Sequence, residues 1–175
     1  VPLYSLNGVA PKVHPSAFIA PTATLVGEVI VEQDASVWYN AVLRADYSPI
    51  YVRAGANVQD CSVLHGPPES PTEIGPRATV GHGCVVHGAV IGAGTIVGNG
   101  AIVMDGARVG SGSLIAGHSL VQGNTEIPDG VLAAGSPAQV RREIPGTPLA
   151  ELLEIQPSAY IDLARRHAAG IDLVP

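Results

Sequence analysis

The chain has 175 residues, 46% hydrophobic and only 14% charged: enough for one domain with a real core, and too apolar for a disordered chain. A net charge of −6, with Lys12 as the single lysine, argues against nucleic acid and anionic membranes as partners. No apolar run approaches the roughly 20 residues that span a bilayer, "VPLYSLNGVAPK" lacks the order of a secretion signal, and Cys61 and Cys84 make no disulfide framework, so a reducing cytoplasm is the expected location.

In chain order, residues 1–12 are read as a lead-in. From Val13 an aliphatic residue returns at every sixth position: Val13, Ile19, Leu25, Val31, Val37, Leu43. Three extra residues precede the next run, Val52, Val58, Leu64, and four precede Ile74, Val80, Val86. After one five-residue step the series continues through Ile91, Val97, Val103, Val109, Ile115, Val121 and Ile127 to Ala133. Four residues after most of these the side chain is small, as at Ala23, Ala35, Ala56, Ser62, Cys84 and Ala101. This period suits neither a helix nor a simple two-sided sheet. It suits short strands between corners, with one branched aliphatic residue per strand pointing inward. Stacked at the usual spacing of about 4.8 Å, such strands make an all-β parallel solenoid, here over residues 13–138. Residues 139–175 form a tail. "TPLAELLEI" (147–155) and "SAYIDLARRHAAG" (158–170) are expected to be two short helices broken by Pro157, with Thr147 and Ser158 as N-caps and Pro148 opening the first. The closing "IDLVP" is expected to be disordered or an arm to a neighbour.

Three hexads per coil place every third register position on one face. The column Leu43, Leu64, Val86 is followed, residue by residue, by Arg44, His65 and His87, so these outward side chains should form a ladder. His65 and His87 then occupy adjacent coils, close enough to share a metal ion. In "GHGCVVHG" (81–88), His82 sits near a corner on another column, with Tyr39, Asp60 and Asn99, and faces away from His87. It can join the pair only across an interface. A three-fold axis parallel to the solenoid would give three sites of three histidines, each with a fourth position open.

The period resembles the hexapeptide-repeat family, which implies a left-handed β-helix of about seven coils, with a tail packed alongside. "LRAD" (43–46), "NVQD" (57–60), "VLH" (63–65) and "VGHGCVVHG" (80–88), in this order, resemble the gamma-class carbonic anhydrases more specifically. That resemblance implies a homotrimer holding zinc, or iron or cobalt, between subunits through His65, His82 and His87. It implies reversible hydration of CO2 to bicarbonate by metal-activated water. Gln59 would orient the nucleophile or substrate, with Arg44, Asn57 and Tyr47 as further active-site positions. Arg44, Asp46 and Asp60 would form interface ion pairs. Tyr47 stands where an archetypal member carries a glutamate. The short loop "GPPESPTE" offers Glu69 and Glu73 as candidate proton-transfer groups where such members carry an acidic loop.

Two other classes stay open: an acyl-CoA or thioester enzyme on the same scaffold, and a metal-bearing trimer with negligible catalysis. His118 is a candidate base for acyl transfer; His14 and His167 are read as structural or solvated. Cys84 is read as core filler, and Trp38 and Tyr39 as interface or tail contacts. "IGAGTIVGNGAIVMDG" is read as corner chemistry rather than a phosphate loop, since no lysine or helix start follows.

Overall fold

The computed structural model describes residues 1–174, which form a left-handed β-solenoid of about seven coils followed by a single helix. The six-residue register becomes three vertical columns. On the first face Val31, Val52, Ile74, Ile91, Val109 and Ile127 stack directly in parallel pairing. On the second face Ile19, Val37, Val58, Val80, Val97, Ile115 and Ala133 do so. On the third face the column is Leu25, Leu43, Leu64, Val86, Val103 and Val121. Apart from the half-buried Ile19, all of these side chains are buried, and with the small corner residues they fill the interior. The polar members among the small residues are paired: the Ser62 hydroxyl donates to the Gly81 carbonyl at 2.7 Å and accepts from the Cys84 N–H at 3.0 Å.

Most strands are two or three residues long, as a six-residue period requires. Two are not. Thr24–Val31 and Val42–Val52 continue around a corner, so the first and third faces join into one 12-stranded sheet while the second face stands as an 8-stranded one. The first of these strands bends at an irregularity between Gly27 and Val29. Gly27 has φ +75°, and a Cβ there would lie 2.3 Å from the Ala45 carbonyl oxygen, so the neighbouring coil passes where a side chain would stand. The lead-in also adds to the solenoid: Leu3–Tyr4 pairs in parallel with Leu25 and Val26. At the far end Ala138–Glu143 turns back antiparallel on Val131–Gly135 and stops the stacking.

The tail corrects one expectation. Residues Pro148–Gly170 form one continuous helix, α1, with Pro157 inside it. A proline in a helix interior forfeits one backbone hydrogen bond and costs about 3 kcal/mol. Packing offsets that cost here. Leu153, Pro157 and Ala164 are the buried residues of α1, and their spacing puts them on one face. Two helices broken at Pro157 would lose that single stripe. Thr147 does hold the N-cap position with Pro148 next, but its hydroxyl donates backwards to the Ile144 carbonyl at 2.7 Å. Ser158 caps nothing; its hydroxyl accepts from the Arg77 guanidinium at 2.9 Å.

The three outer surfaces differ. On the second face α1 lies against the solenoid: Leu153 meets Ile96 and Ile144, Tyr160 stands edge-on to Trp38 at 5.4 Å, and His167 bonds the Tyr39 hydroxyl at 2.9 Å. The first face is polar, its outward row running Lys12, Ile30, Tyr51, Glu73, Val90, Arg108, Glu126. The third face carries an outward row of Thr24, Val42, Val63, Val85, Ile102 and Leu120. No element of the described chain covers that row, and Val63 and Ile102 remain 39% and 37% exposed.

Candidate metal centre

His65 and His87 end the strands Val63–His65 and Val85–His87, which pair in parallel with His87 opposite His65. Each follows an inward aliphatic residue, Leu64 or Val86, so each ring points out from the third face. The four-residue insertion between the coils is the loop ahead of Thr72, tied down from several sides. Thr72 donates its hydroxyl to the His65 carbonyl at 2.6 Å, Ser48 donates to the Pro67 carbonyl at 2.7 Å, and Ser70 donates to the Gly88 carbonyl at 3.0 Å.

The ring nitrogens carry the chemistry. His65 Nδ1 and His87 Nε2 face each other at 2.8 Å. The other nitrogen of each ring is held by a carboxylate: His65 Nε2 lies 2.7 Å from Asp46 Oδ1, and His87 Nδ1 bonds Asp105 Oδ1. An ionised carboxylate only accepts hydrogen bonds, so in each neutral ring the proton sits on the carboxylate side. Both facing nitrogens then present lone pairs to one another. Two lone pairs repel at this spacing, so the gap is bridged by an added proton or, once the nitrogens part to about 3.3 Å, by a zinc ion with Zn–N bonds of about 2.0–2.1 Å. Asp46 also pairs with Arg44. Burial works against the charge on Asp46, but the bonds from His65 and Arg44 and the guanidinium charge outweigh it and hold this carboxyl below the usual range. The Tyr47 ring stands edge-on to His65 with centroids 6.1 Å apart and is 66% exposed.

His82 lies elsewhere. It is 49% exposed, its Nδ1 is 2.8 Å from Asp60 Oδ2, and its backbone N–H donates to Asn99 Oδ1 at 3.1 Å. Among the described residues no three His, Cys, Asp or Glu side chains converge as a metal cluster. The single chain thus brings His65 and His87 together and leaves His82 apart. Gln59 and Asn57 are buried beneath this corner: the Gln59 amide donates to Asn57 Oδ1 at 3.1 Å, and Asn57 donates to the Thr79 hydroxyl at 2.8 Å. Burial, with the Asp60 charge, pushes the Tyr160 phenol up. Cys84 is in the core, its thiol pushed up by burial. Glu69 is exposed in the loop, and Glu73 accepts from Arg53 Nε at 2.8 Å on the first face. His118 is exposed, over Gly100, while His14 pairs with Ser16.

The residue that sequence reading passed over is Asp105. Val86 pairs with Val103, so Asp105 lies one coil on from Gly88. The His65 column itself runs on to Met104, and Asp105 is the residue after it, so extending that column by one coil and one residue would have found it.

No protein-family model matches the chain. Solved structures do match it along nearly its whole length. A hexapeptide transferase family protein from Anaplasma phagocytophilum is 38% identical, with 94% of this chain and 96% of that one covered and a TM-score of 0.90. This chain belongs to the hexapeptide transferase family. A putative acetyltransferase from Bacillus cereus resembles it equally well, at 35% identity, 94% and 95% coverage and a TM-score of 0.92. Carnitine operon protein CaiE of Escherichia coli O157:H7 is 44% identical over 89 residues, which is 51% of this chain and 45% of that protein. The match thus spans about half the length of such curated relatives. Within the hexapeptide transferase family the repeat is scaffold, and chemistry belongs to the side chains projecting from it.

Proposed function

We propose that this chain is a zinc-dependent, gamma-class carbonic anhydrase-like enzyme that assembles as a homotrimer. The observation that carries the reading is the pair of imidazole nitrogens facing each other at 2.8 Å, each ring backed by a carboxylate. His65 and His87 would hold the ion with His82 of an adjoining copy. Zinc, when bound, supplies the Lewis acidity that makes water a nucleophile towards CO2 near neutral pH; iron or cobalt suits the same imidazole set. Asp46 and Asp105 orient the two rings, and Arg44 orients Asp46. Asn57 fixes the Gln59 amide beside the corner, and Tyr47 and Glu69 stand at the solvent side for substrate contact and proton release. The bare aliphatic row on the third face supports the trimer, since it offers apolar area for a neighbour right beside the histidines.

Stopped-flow CO2 hydration on metal-analysed protein tests the reading. Hydration that disappears with chelation and in His87→Ala is the expected result. Full metal loading with no hydration would remove it. A second reading, acyl transfer from a thioester with His82 as base, is favoured by the exposed His82–Asp60 pair and by the transferase names of the full-length relatives. Turnover of acyl-CoA lost in His82→Ala, with no CO2 hydration, would select it.

A further inference from the structure

We infer that Asp105 is a positioning residue that locks His87 in the tautomer whose Nε2 is free to bind the metal. This rests on the metal reading above. Asp105 belongs to the next coil and reaches back to His87 because Gly88 leaves it room. A Cβ on Gly88 would lie 2.9 Å from Asp105 Oδ1, 2.9 Å from the Ser70 hydroxyl and 2.8 Å from Pro67 Cδ. The Gly88 backbone is itself fixed, its carbonyl accepting from the Gly106 N–H at 2.7 Å and from Ser70 at 3.0 Å. The approach of Asp105 to His87 Nδ1 is therefore built into the coil stacking.

The consequence concerns a competitor for the metal. Asp46 already puts the His65 proton on Nε2, leaving Nδ1 as an acceptor towards His87. A His87 ring free to choose would place its own proton on Nε2. It would then donate to His65 across the 2.8 Å gap, and this ordinary neutral hydrogen bond would occupy the seat of the ion. Asp105 removes that option by keeping the proton on Nδ1.

Asp105→Asn tests this, because its amide can donate to Nδ1 and so favours the wrong tautomer; Asp105→Ala, which neither donates nor accepts, is the second variant. Nitrogen-15 NMR of the metal-free full chain reads the tautomer directly. The expected result is an Nδ1–H His87 in the parent, Nε2–H in Asp105→Asn and a mixture in Asp105→Ala. Zinc affinity by chelator competition should fall about 10- to 100-fold in both, with thermal melts confirming a folded chain. An unchanged tautomer, or zinc affinity within twofold of the parent, would overturn the assignment. If the parent itself binds no zinc, the metal reading fails and the tautomer measurement alone decides the role of Asp105.

Discussion

On the first face Arg53 stands between Glu32 and Glu73, donating to each at 2.8 Å, with its guanidinium 4.5 Å above the Tyr51 ring. On the third face Asp46, His65, His87 and Asp105 form a chain of similar extent. Both are built the same way, by outward residues stacked coil upon coil. The first is closed: its donors and acceptors match, and the bonds to Glu73 and Glu32 push Arg53 further above its already high range. The third is open at its centre, where two acceptors meet. A register that repeats faithfully therefore places polar groups, while their donor and acceptor balance decides whether they brace the fold or wait for a ligand.

That contrast can be broken from the histidine side most strongly. His65→Ala should abolish zinc retention after dialysis, read by elemental analysis, with the melting temperature of the metal-free chain nearly unchanged. Next comes the column beneath the site. Leu64→Ala empties a fully buried position and should cost about 2–5 kcal/mol in denaturant unfolding, weakening both ladders together. Gly88→Ala should cost about 1–3 kcal/mol, since φ is +55° and the space is taken, and should weaken zinc binding while leaving the Arg53 cluster intact. The smallest effect belongs to the closed ladder. Arg53→Ala should lower stability by about 1 kcal/mol or less, because these side chains are partly solvated, and the loss should shrink in high salt. Zinc affinity should not change in that variant, and a large drop would mean that the two faces are coupled.

Much of this architecture was legible because the solenoid interior admits one branched residue per strand and little else. Even the insertions could be read, since Val52 and Ile74 return to the column after extra residues. His65 and His87 followed from the same counting. The helix was harder: Pro157 reads locally as a break, and only the buried stripe through Leu153 and Ala164 overrides it. Asp105 was hidden for a different reason. Its significance depends on an absent side chain at Gly88, and a glycine at a corner signals a turn before it signals a gap. Glu73 looked like a loop acid by sequence, yet the register carries it to the first face, opposite Tyr51.

One consequence follows from the reach of α1. Its early residues pack near Ile96 and Ile144, and its last turn meets Phe18 and Tyr39 at the opposite end of the column. A helix of 23 residues is about 34 Å long, which matches about seven layers at 4.8 Å each. A stack of coils that touch only their neighbours would fray from its ends, layer by layer. Here a clasp as long as the stack ties the first layer to the last. Peeling either end pulls on the other, so the structure should give way under force as one unit rather than in steps.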